Sequence, residues 1–174
     1  MQFGTINDNG QNVVILKDKS GLIKRLTDIA SHTNIDCGKD MLDLVRTIGK
    51  QPDILNKLET DYENDEFLDE NTFEWLPPLS NPSKILGVAF NNKELMKKAH
   101  RDPGVPNFFL KPPSALQGHN KPIIVDPEWG AVIPEPEICA VIGKKAKHIS
   151  ENEALDYVFG FLIHNDVTSH GLKF

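Results

Sequence analysis

The chain has 174 residues, 39% of them hydrophobic, and its 25 acids against 19 bases give a formal charge of -6. This composition suits a packed protein, and the scattered Lys and Arg argue against a nucleic-acid partner, which would need a basic stripe. No apolar run reaches the about 18 residues of a membrane span, Met1 opens no signal-like segment, and two distant cysteines, Cys37 and Cys139, make neither a disulfide framework nor a zinc site. Cytoplasmic placement is therefore expected, with both thiols reduced and Cys139 buried.

Asn12 to Leu16 form a β-branched apolar run suited to a strand, with Asp8-Asn9-Gly10 before it as a turn signal. Two helices are expected next. Leu22, Ile23, Leu26 and Ile29 repeat at helical spacing, as do Met41, Leu42, Leu44, Val45 and Ile48, with Gly49 near the stop. Seven acids and no base then lie between Asp61 and Glu74, and without a regular calcium-loop pattern they read as a solvated connector. Eleven of the 12 prolines fall between Pro77 and Pro136, which excludes long helices there and favours short strands and ordered loops. Pro77-Pro78 and Asn81-Pro82 place a domain boundary near residue 80, giving a small α+β domain over 1–80 and a second domain over 81–174.

In the second domain, Ile85 to Phe90, Asn107 to Leu110, Ile138 to Ile142 and Gly160 to His164 read as strands, and Lys93 to Ala99 as a short helix. Ser150 and Glu153 have capping-box spacing, predicting a short helix from Glu151 to about Val158. The fold class is α+β, mostly β.

Glu135 and Glu137 stand at i and i+2 of a strand, about 6.6–7 Å apart at Cα, so both carboxylates can aim at one point. Converging carboxylates repel unless one is protonated or a divalent cation neutralises them, and all-oxygen ligation favours Mg²⁺ or Mn²⁺ over zinc. Glu-x-Glu also arises on solvated strands. Asp166, which closes an apolar strand in Asn165-Asp166-Val167-Thr168, is a third acid with no evident structural duty, although an Asp there also serves as a turn residue.

Four segments in order carry a resemblance over roughly residues 82–168. They are Asn81 to Asn91 (NPSKILGVAFN), Phe108 to Leu116 (FLKPPSAL within it), Glu135 to Lys144 (EPEICAVIGK), and Ala154 to Gly160 (ALDYVFG) leading to the NDVT of Asn165 to Thr168. The chain resembles the N-terminal part of the fumarylacetoacetate hydrolase family, including the first half of its catalytic domain. That resemblance implies a mixed β-roll, incomplete at the C-terminal end, and a metal held by Glu135, Glu137 and Asp166. It also implies hydrolytic carbon–carbon cleavage of an acylpyruvate or other diketo or α-keto acid, with isomerase, hydratase or decarboxylase chemistry, or a silent metal-binding protein, as alternatives. A homodimer is expected.

The chain departs from the family pattern at the base and at the substrate contacts. Leu95 stands where many relatives place a His that can activate water, which leaves Glu94 and His100 as candidate bases. Arg and Gln often follow the NDVT acid by four and seven residues; here His170 and Lys173 occupy those places and are candidate substrate contacts. Lys111 is a third, able to neutralise a substrate carboxylate or to serve structurally. His32, His119, His148 and His164 lack partners at ligand spacing.

Overall fold

A computed structural model describes residues 1–59, 66–100 and 102–171. The turn signal at Asn9-Gly10 joins β1 (Gln2–Asp8) to β2 (Gln11–Lys17), with both turn residues at positive φ as a tight hairpin requires. Then follow β3 (Ile23–Arg25), α1 (Leu26–Thr33), α2 (Met41–Lys50), α3 (Ile54–Leu58) and β4 (Glu74–Leu76). The strands make an antiparallel sheet in the order β3-β2-β1-β4.

The β2 run is apolar throughout because both faces of this sheet are covered. Val14 and Leu16 face the helices, joining Leu26, Ile29, Met41, Leu44, Val45, Ile48, Ile54 and Leu58 in the main core. Ile15 points the other way, into a smaller cluster with Ile6 and Ile23 that Phe73 and Trp75 help to close. Asp40 caps α2 by accepting the Asp43 amide at 2.9 Å.

One expectation changes here. Helical spacing suggested that Leu22 and Ile23 open the first helix, but Ile23–Arg25 pairs with β2 and the helix starts at Leu26. The pairing gives these residues cross-strand partners, which outweighs a weak helical pattern. Gly49 stands one residue before the end of α2 at Lys50, near the expected stop, and the carbonyl of Gly143 passes so close that a Cβ there would collide with it. Of the acidic connector, Asp61, Glu63 and Asp65 lie outside the described residues, while Glu66 pairs with Arg25 and Glu70 with Lys17.

The second half contains β5 (Ile85–Ala89), α4 (Lys93–Ala99), β6 (Asn107–Lys111), β7 (Val132–Ile133), β8 (Pro136–Ile142), β9 (Val158–Asn165) and β10 (Thr168–Ser169). These strands form three antiparallel pairs, β5-β6, β8-β9 and β7-β10. The predicted helix after Ser150 is a 3-10 helix, Glu151–Tyr157, and its capping box is present: Glu153 accepts from both the amide and the hydroxyl of Ser150. Val141 and Phe159 pack against the main core of the first half, Phe159 lying 5.9 Å from the ring of Phe3. The molecule is α+β with strands predominating. Cys37 is the buried thiol, whereas Cys139 is half-buried because it lies on a two-stranded ribbon without a closed core above it. Among the described residues no helix is long and apolar enough to cross a membrane.

Candidate metal centre

The β8-β9 pairing sets Pro136 opposite Asn165 and Glu137 opposite His164. Just beyond that end the two chains are tied again: the Glu135 amide donates to Asn165 Oδ1 at 3.0 Å, and the Asp166 amide donates to the Glu135 carbonyl at 2.8 Å. Two acids thirty-one positions apart in sequence are thereby fixed side by side at the backbone. The short β7-β10 pair extends the frame, with Thr168 opposite Ile133 and the Thr168 hydroxyl donating to Glu135 Oε2 at 2.8 Å.

Asp166 is the one buried residue among those described beyond residue 59, at 8% exposure. Its Oδ1 is shielded from solvent and accepts no hydrogen bond of ordinary geometry. The Lys111 ammonium lies directly against that oxygen. Lys111 ends β6 and is brought here from the other ribbon, its ammonium also 3.5 Å from the Val167 carbonyl. Burial lowers the Lys111 pKa, and the Glu135 charge works in the opposite direction. The surroundings of His164 lower its pKa, first by burial and then by the Lys111 charge, with Glu137 opposing.

The donor chemistry suits a hard divalent cation: carboxylate oxygens, one of them buried and without a hydrogen bond. The side chains as placed are not drawn into one cluster, since among the described residues no three His, Cys, Asp or Glu side chains stand close enough to hold an ion. Glu135 is half-buried and bound to Thr168, and Glu137 is exposed. Three carboxylates without a cation between them repel, and here a lysine supplies the positive charge instead.

The remaining candidates are dispersed. Glu94 is exposed on α4 and pairs with Lys97 at 3.6 Å. His100 follows α4 at positive φ and lines an open hollow of about 570 Å³ with Lys93, Met96, Lys97 and Asp102. No described contact joins either residue to Lys111, Glu135 or Asp166. His170 is exposed, with its amide donating to the Ala131 carbonyl at 2.9 Å, and Lys173 lies outside the described residues. Sequence reasoning set His164 aside for want of a partner at ligand spacing and gave Thr168 no separate role. Their signal is the strand register, which spacing along the chain does not reveal.

Comparison with known proteins identifies the family of the second half. The C-terminal domain of fumarylacetoacetate (FAA) hydrolase matches residues 84–174. An uncharacterised protein of Pyrococcus abyssi is 38% identical over 93 residues, covering 53% of this chain and 41% of that protein. A mitochondrial oxaloacetate tautomerase of Xenopus laevis is 33% identical over 107 residues, covering 61% of this chain and 34% of the tautomerase. Maleylpyruvate hydrolase from Sphingobium sp. SYK-6, solved with manganese(II) and pyruvate, superposes with a TM-score of 0.73 at 22% identity, covering 99% of this chain and 60% of that one. This chain thus spans well under half the length of the two curated relatives. It belongs to the fumarylacetoacetate hydrolase family.

Proposed function

We propose that the chain is part of a cytoplasmic, divalent-metal-dependent enzyme that acts on acylpyruvates or other diketo or α-keto acids by hydrolytic carbon–carbon cleavage. The observation that carries this reading is the meeting of Asp166, Glu135 and Lys111 at the joined ends of the ribbons, where a buried carboxylate oxygen is met by the Lys111 ammonium. Glu135, Glu137 and Asp166 are the proposed ligands for Mg²⁺ or Mn²⁺, and the manganese in the maleylpyruvate hydrolase structure supports a divalent ion of this kind.

When bound, the cation supplies Lewis-acid charge for the enolate oxygen that develops when a bond beside a carbonyl breaks. Thr168 orients the Glu135 carboxylate through its hydroxyl. Lys111 is placed to meet a substrate carboxylate, since its stem leaves a rigid strand end before Pro112-Pro113. His170 and Lys173 are proposed as further substrate contacts and Glu94 or His100 as the base. The apolar outer faces of the ribbons support a homodimer, and sedimentation of the chain beside Ile163→Lys tests it: an unchanged sedimentation coefficient in the variant would count against that assembly.

A second reading has its own support. Leu95 replaces the water-activating His, Glu94 and His100 stand apart from Asp166, and a relative is an oxaloacetate tautomerase. Tautomerisation shares the enolate but needs no activated water. Absorbance assays with Mg²⁺ or EDTA separate the two: loss of an acylpyruvate chromophore supports hydrolysis, and accelerated enol–keto exchange of oxaloacetate without bond cleavage supports the tautomerase. Calorimetric titration with Mg²⁺ tests the site itself. Heat that is absent, or unchanged by Glu135→Gln, would sink it.

A further inference from the structure

We infer that Lys111 is a tethered counter-cation that competes with the divalent metal for Asp166, so that loading the site requires the ammonium to leave. This rests on the metal-site reading above and adds a regulator to it. Asp166 Oδ1 is shielded from solvent and lacks a hydrogen bond of ordinary geometry, yet the Lys111 ammonium lies against it. A buried carboxylate with no compensation is strongly unfavourable, so the metal-free protein needs a positive charge at this place. Lysine suits that role because its ammonium is a compact charge on a flexible four-carbon stem anchored by β6.

A divalent cation bound to Asp166 needs the same oxygen. Two cations on one carboxylate oxygen repel, and the lysine has somewhere else to go: the Val167 carbonyl is 3.5 Å from its nitrogen, and the Glu135 charge is within electrostatic reach. Displacement of the ammonium by metal releases a positive charge beside the site. Metal loading and capture of an anionic substrate are thereby coupled.

The test is calorimetric titration of the chain, Lys111→Met and Lys111→Arg with Mg²⁺ and with Mn²⁺. Removal of the competing charge should tighten metal binding about tenfold in Lys111→Met, within the usual span of coupling between linked ligands. Lys111→Arg keeps a permanent positive charge and should not tighten it. Metal-free Lys111→Met should also melt below the parent chain, and saturating Mg²⁺ should raise its Tm by more. Equal or weaker binding in Lys111→Met, where Glu135→Gln still abolishes binding, overturns this inference and leaves the metal site standing. No heat from either the parent or Lys111→Met overturns both. Should Lys111→Met fail to fold, the parent chain decides: Mg²⁺ must shift the Lys111 ε-methylene NMR resonance more than that of any other lysine, and an unmoved resonance overturns the inference.

Discussion

The two halves of the molecule use apolar residues in opposite ways. Among the described residues every buried apolar side chain lies between Ile6 and Leu58, where a four-stranded sheet is covered on both faces. Beyond residue 80 the strands come in pairs, and many of their apolar positions are bare: Ile138 is 80% exposed, Ile163 87% and Leu110 70%. A two-stranded ribbon with one uncovered apolar face is marginal by itself. The β8-β9 ribbon is nonetheless seated on the first half, through Val141 and Phe159, and holds Glu135 and Asp166 at its far end. The first half thus contributes a platform and the second half carries the proposed metal ligands, with apolar faces still bare.

The largest expected effect tests that contrast directly. Leu44→Ala empties a fully buried position in α2 and should cost about 2–5 kcal/mol in urea unfolding. Ile163→Ala removes nearly as much apolar surface from β9 and, measured at a concentration where the chain is monomeric, should stay within about 0.5 kcal/mol, because little of that surface leaves water when the single chain folds. Equal losses would mean that the ribbon face is covered within the single chain, and the contrast would fail.

Arg25→Met comes next. The guanidinium donates to Asp8 at 2.8 Å and lies near Glu66 and Asp28, a partly shielded cluster that ties β3 to the hairpin and the connector. Its loss should cost roughly 1.5–3 kcal/mol in dilute buffer, shrinking as salt screens the pairs. A salt-independent loss would point to packing of the stem instead. Asp40→Ala should cost about 1 kcal/mol by removing the cap on α2. Helix content measured by circular dichroism should fall with it.

Local signals in the sequence were legible where one element decides its own shape. The Asn9-Gly10 turn, the α2 periodicity and the β2, β5, β6, β8 and β9 runs all correspond to observed elements. The backbone adjacency of Glu135 and Asp166 agrees with the order of the family segments, and each acid ends an apolar strand or lies just outside one. What was not legible depends on distant partners. Ile23–Arg25 is a strand because β2 offers a free edge, and Glu74–Leu76 is one because it returns to pair with β1. Lys111 meets Asp166 and His164 faces Glu137 through contacts between ribbons and across a register, neither of which leaves a periodic trace.

The smallest effect sharpens the comparison from the other side, because it concerns order in the second half that needs no core. Glu153 accepts from the Ser150 hydroxyl and amide, and these bonds hold its carboxyl below the ordinary carboxylate value. A depressed folded-state value means that the cap contributes above the unfolded carboxylate pKa and is lost as pH falls through the folded one. Ser150→Ala should therefore raise the Glu153 midpoint in an NMR titration and loosen Glu151–Tyr157, while the urea midpoint of the first half stays put. If the variant instead lowers the unfolding midpoint of the whole chain, the 3-10 helix is coupled to the buried core. The second half would then be part of one cooperative unit despite its bare faces, and the division between platform and ribbon would have to be redrawn at Phe3 and Phe159, where the two already touch.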